Sequence, residues 1–187
     1  MAGAFKEFIA LEEEGRVADE LSTSELIDLA RAYSSLSTAY LNLEQGAGAV
    51  QAASRAVEVA EEAATRSETA GSGATTGSGA VAGDRSVVGR SEKSTGSRAT
   101  AGSGAAGTNG AALRALAFHL SYLGSVYLAA GRPGDAVPAL ERATSLYREL
   151  RESGADIDPD LERIAESSLE RARRRHHAGP ASGLEKS

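Results

Sequence analysis

Apolar residues recur at spacings of three and four in several separate stretches of this chain, the period of a helix that buries one face. In the first stretch Leu26, Ile27, Ala30, Leu36, Tyr40 and Leu43 carry the pattern until Gly46 and Gly48 interrupt it. Ser22-Thr23-Ser24-Glu25 places Ser three residues ahead of Glu, the capping-box spacing, and sets the start of that helix. Val50, Ala53, Val57 and Ala60 predict a second helix over residues 49–65. A third, over 111–130, repeats the first pattern and ends at Gly131-Arg132-Pro133-Gly134, and a fourth runs from about 135 to 151, stopping before Gly154. The last begins at Asp158-Pro159, with Asp as N-cap and Pro at the first helical position, and ends near His177 ahead of Gly179-Pro180. Residues 2–14 predict one more short amphipathic helix.

The periodicity is lost between the second and third helices. Of the 44 residues from 67 to 110, 33 are Gly, Ser, Thr or Ala, and the larger aliphatics are Val81, Val87 and Val88 alone. Such a segment buries too little apolar surface to offset its ordering entropy, so it is read as a disordered, flexible linker. The chain therefore divides into N-terminal helices (1–66), the linker (67–110), a second helical part (111–177) and a flexible tail (178–187). The insertion is expected to let two halves close around a ligand or reach a second site.

The two helical pairs superpose without a gap at an offset of 87 residues: Leu36 falls on Leu123, Tyr40 on Tyr127, Ala49 on Ala136, Val50 on Val137 and Ala56 on Ala143. Subtracting the 44-residue linker leaves a period of 43, that of a helix–turn–helix unit with a lengthened second helix. The second copy has Leu120, Leu123, Gly124 and Tyr127 on its first helix, Gly131 at the turn, and Ala136, Leu140 and Ala143 on its second. This set resembles the tetratricopeptide repeat (TPR), in which small residues sit where the two helices cross and large ones fill the space beside them. The first copy departs from it, with Ser37 for the Gly, Glu44 at the turn and Ala53 for the large apolar residue. Residues 156–174 read either as the start of a further repeat or as a terminal capping helix. The resemblance covers about two thirds of the chain and implies an all-α, TPR-like α-solenoid of two repeats plus flanking and capping helices, interrupted by the linker. Two repeats are few for a solenoid, so terminal helices or self-association must cover the exposed ends.

The resemblance also implies a function. TPR proteins bind extended or helical peptides in a groove lined by the first helix of each repeat. Carried over position by position, the groove residues here are Arg31, Ser34, Thr38 and Asn42 in the first copy, and Phe118, Ser121, Ser125 and Ala129 in the second. Thr38 and Ser125 stand where the carboxylate-clamp subfamily uses Asn, which argues against a clamp. The reading is a non-catalytic adaptor for another protein. Its rivals are a homo-oligomerisation module, and a regulatory domain whose basic end contacts nucleic acid.

Composition trims these choices. A net charge of −6 argues against general nucleic-acid binding. The exception is local: Arg171, Arg173, Arg174, Arg175, His176 and His177 form a basic cluster, at a helix C-terminus where cations meet the negative end of the dipole. The absence of Cys removes disulfides and thiolate chemistry. No cofactor is called for: His176 and His177 are adjacent and point apart on a helix, His119 has no acid near it in sequence, and Gly71-Ser72-Gly73 lacks the Lys of a phosphate loop. No nucleophile, base and orienter combine, so no enzyme activity is expected. The N-terminal residues lack a basic start followed by an apolar run, and no apolar window is long enough to span a bilayer, so a soluble, cytoplasmic protein is expected.

Overall fold

The computed structural model describes residues 21–72 and 104–178, and all the regular elements among them are helices. They are α1 (Thr23–Asn42), α2 (Gly46–Ser72), α3 (Gly104–Ala129), α4 (Pro133–Glu152) and α5 (Pro159–His177). The helix expected over 2–14, the middle of the linker and most of the tail lie outside the described residues.

The caps form as the sequence directs. At α1 the Glu25 N–H donates to the Ser22 hydroxyl at 3.4 Å and the Ser22 N–H donates to the Glu25 carboxylate at 2.8 Å, closing the capping box. At α5 the Asp158 carboxylate accepts from the Asp160 N–H at 2.9 Å, and Pro159 occupies the first turn, where no N–H is needed.

Two helices are longer than the apolar pattern predicts. The expected linker of 67–110 is helical at both ends, because α2 continues to Ser72 and α3 begins at Gly104. In the added turns Ser67 is buried while Glu68, Thr69 and Ala70 are exposed, and the Thr69 hydroxyl donates to the Arg66 carbonyl at 2.9 Å. Residues 73–103 are outside the described set.

Each helix packs on the next in sequence, and α1 also touches α3 as α3 touches α5. The five helices thus form two layers, α1, α3 and α5 in one and α2 and α4 in the other. The helix α2 lies between α1 and α3 and meets them with alanine: Ala49, Ala52, Ala53, Ala56, Ala60, Ala63 and Ala64 are all buried. Small side chains let the backbones approach closely on both sides at little rotamer cost. The main core cluster joins Leu26, Leu29 and Tyr33 of α1 to Val57 of α2, Leu116, Leu120 and Leu123 of α3, and Ala143 of α4. The core therefore runs across the insertion, and the two halves are packed together rather than poised to close around a ligand.

The offset of 87 is visible in the backbone. Both helix pairs turn through the same arrangement: the Gln45 N–H donates to the Tyr40 carbonyl at 2.9 Å and the Arg132 N–H to the Tyr127 carbonyl at 2.8 Å. Beside these, the Glu44 N–H donates to Leu41 and the Gly131 N–H to Leu128, which completes a Schellman end in each copy. Glu44 takes φ 57° and Gly131 φ 72°, so the first copy forces a non-glycine residue into the left-handed region that its counterpart occupies freely. The end of α4 uses the motif a third time, at Gly154.

The side chains at the helix crossing are exchanged between the copies. A Cβ added at Gly124 would meet Leu140 Cγ at 2.4 Å, so Leu140 fits only because Gly124 has no side chain. In the first copy the same two places hold Ser37 and Ala53, both fully buried, and the Ser37 hydroxyl donates to the Ala49 carbonyl at 2.8 Å. The large residue moves out of one helix as a small polar one enters the other.

Candidate functional site

The residues expected to line a groove lie on α1 and α3, along the layer that α5 continues. Their side chains follow from the helical period: on α3 the positions opposite Leu116, Leu120 and Leu123 are 118, 121, 122, 125 and 129. Phe118 stands 43% exposed in the middle helix of the layer, its ring edge-on to His119 with centroids 5.3 Å apart. Arg31 is exposed on α1 and pairs with Asp28 at 2.8 Å, and Asn42 is exposed in the last turn of α1.

Several of the other expected groove residues also make contacts within the helical layer. Ser34 is only 8% exposed and its hydroxyl shares a hydrogen bond of 2.9 Å with His119 Nδ1. Thr38 Oγ1 lies 2.7 Å from the Tyr122 hydroxyl, and Tyr122 donates to the Ser34 carbonyl at 3.1 Å. The Ser125 hydroxyl donates to the Ser121 carbonyl one turn back. Ser121 Oγ is itself buried with no hydrogen-bond partner, as is the hydroxyl of Tyr147 on α4. Burial pushes the Tyr147 phenol up, and the nearby Ser121 hydroxyl offsets part of that shift. Exposed on this face are Phe118 and Ala129 of α3 and Arg31, Thr38 and Asn42 of α1.

The bonds from Ser34 to His119 and from Thr38 to Tyr122 tie α1 to α3 across the insertion. His119 is 1% exposed, and burial, with the Arg31 guanidinium adding, pushes its imidazole down to about 4. It is neutral at pH 7. A Ser and a His in contact resemble a nucleophile and its base, but both are sealed from solvent and no substrate can reach the hydroxyl. Sequence reasoning missed His119 and Tyr122 as partners in this layer. The contacts join one copy to the other, so self-similarity within the chain gives no sign of them.

On the opposite side α2 is joined to α4 through the Glu61–Arg142 ion pair. Beside it lies an open groove floored by Ala64, Leu113, Leu116 and Leu146 and rimmed by Glu61, Glu68 and Glu149. At the far end of the molecule the basic cluster is partly engaged. Arg173 reaches Glu141 of α4 at 2.7 Å and Arg174 pairs with Glu170 at 3.2 Å. Arg151 holds both carboxylate oxygens of the buried Glu162, clamping the turn between α4 and α5.

Among the described residues no three His, Asp or Glu side chains gather where they could hold a metal ion, and no helix is long and apolar enough to cross a membrane. Comparison with protein families, curated proteins and solved structures returns no match for this chain.

Proposed function

We propose that this chain is a TPR-like helical-repeat module that holds a peptide or helix of another protein along the layer of α1, α3 and α5. The observation that carries this reading is Phe118: a large aromatic side chain 43% exposed at the centre of a face whose neighbouring positions are otherwise polar or tied down. Exposed aromatic and guanidinium side chains, here Phe118 on α3 and Arg31 on α1, are the kinds of anchor that carry most of the energy of protein interfaces. The two-layer stacking of copied helix pairs supports the repeat reading, because such stacks present one helix from each pair along a shared face. Arg31 and Asn42 extend the contact along α1. Thr38, Ser34 and Ser121 position the helices beneath it.

The test is affinity capture from the source cell, with wild type beside Phe118→Ala, Arg31→Ala, Asn42→Ala combined. None of the three is buried, so the variant should keep the wild-type circular dichroism and melting temperature. A protein retained by wild type is expected to be lost by the variant, with Phe118→Ala alone weakening it about 30-fold, on the order of 2 kcal/mol for a central aromatic. Partners held equally by both would contradict the proposal.

A further inference from the structure

We infer that the chain also binds a second copy of itself, by seating the outer strip of α5 in the acid-rimmed groove between α2, α3 and α4. The two surfaces are separate from the Phe118 face and match each other in chemistry. The helix α5 buries one side, through Glu162, Ala165, Leu169 and Ala172, and nothing among the described residues covers the other. Ile164, Arg171 and Arg175 are exposed at spacings of seven and four, one stripe along the flank of that buried side, with Arg175 lining a cleft beside Leu128, Gly131 and Pro133. Ile164 is 54% exposed, a large aliphatic left in water. Arg171 has only a long contact, 3.5 Å, to the Ser168 hydroxyl, and no ion pair among the described residues engages Arg175, whereas Arg173 and Arg174 are each held by a glutamate. The strip is thus an aliphatic anchor followed by two available guanidinium groups.

The groove is its complement. It is an open cleft of about 470 Å³ over Leu113, Leu116, Leu146 and Ala64, more polar than apolar in its exposed lining but roomy enough for an isoleucine side chain. Three glutamates stand on its rim, and the one cation lining it, Arg142, is already bound by Glu61. Among the described residues no ion pair engages Glu68 or Glu149, and Glu149 accepts only from the Ser145 hydroxyl at 3.4 Å. The N-terminal residues 1–20 carry six acids against two bases and would be repelled from such a rim, so they do not fit it. A helical stripe of one aliphatic residue and two guanidinium groups does, and α5 displays one. Donor strip and groove are different patches, so the contact is made once by each copy toward the next, or twice where two copies close on each other.

The expected result in analytical ultracentrifugation is a mass that rises with concentration above 19.1 kDa and falls back in 1 M salt, where the screening length shrinks to about 3 Å. Glu68→Arg with Glu149→Arg gives a chain whose groove repels its own helix, and Arg171→Glu with Arg175→Glu gives a chain whose helix repels its own groove. Each alone is expected to stay monomeric at concentrations where wild type associates, and an equimolar mixture of the two is expected to associate again. Glu61 is left in place because its pair with Arg142 joins α2 to α4. Ile164→Ser, which alters no charge, should lower wild-type association about tenfold, the loss expected on truncating a half-buried aliphatic anchor. Circular dichroism of every variant confirms folding, and the Ile164→Ser readout stands even where a charge variant fails to fold. A wild-type mass of one chain at all concentrations would overturn the inference. Association by either variant alone, or monomers in the mixture, would equally overturn it.

Discussion

His119 shows how one residue couples packing to solution conditions. In the folded chain its imidazole is neutral down to about pH 4, because burial disfavours the charged ring and the Arg31 guanidinium adds to this. In the unfolded chain it takes up a proton near its ordinary value of 6.5. Between those values the unfolded state binds more protons, so stability is full above pH 6.5 and falls as pH drops toward 4. The loss over that window is on the order of 3 kcal/mol. His119→Gln, which can still accept from or donate to Ser34, is expected to remove most of this slope, as read by urea unfolding at pH 7 and pH 4.5. An unchanged slope would mean that His119 is not the group that titrates. Glu25 acts in a lower window: its hydrogen bonds with Ser22 hold its carboxyl below the usual carboxylate range, so the cap weakens only as pH falls further. The sequence places His119 on the buried stripe of α3, three and four residues from Leu116 and Leu123, but gives no sign of its partner Ser34 on α1.

At the scale of elements, the two helix pairs are copies whose crossing residues have changed together. Gly124 makes room for Leu140, while Ser37 and Ala53 divide the same space differently. Gly124→Ser alone is expected to cost about 1–3 kcal/mol by overpacking against Leu140. Leu140→Ala alone is expected to cost about 2–5 kcal/mol through the cavity it leaves. Together they recreate the pair of the first copy, with a serine able to donate to the Ala136 carbonyl as Ser37 does to Ala49. The double variant should therefore lose at least about 1 kcal/mol less than the sum, measured by denaturant unfolding. Strict additivity would show that the two positions are not one packing unit. The copies themselves were legible, because Tyr40 and Tyr127, Ala49 and Ala136 align without a gap. The true lengths of α2 and α3 were not. Their ends are mostly Ala, Gly, Ser and Thr, which carry no apolar period, so the pattern gives no sign of how far each helix continues.

At the scale of the molecule, the insertion divides the sequence and leaves the core whole. Leu26 and Leu29 at the start of the chain share a cluster with Leu120 and Val126 beyond the insertion, and the Ser34–His119, Thr38–Tyr122 and Glu61–Arg142 contacts cross the same seam. The composition of 67–110 suggested two parts free to move, since a linear pattern shows where regular structure lapses but not which surfaces meet on either side. The account's central claim is that α2 and α3 join the halves into one body, so that α1, α3 and α5 form a single face. The most direct test is to express residues 1–89 and 90–187 as two separate chains and mix them. The account predicts that each is poorly helical alone, and that together they form a 1:1 complex with the helicity of the intact protein and a single melting transition. Halves that fold separately and stay apart would contradict it.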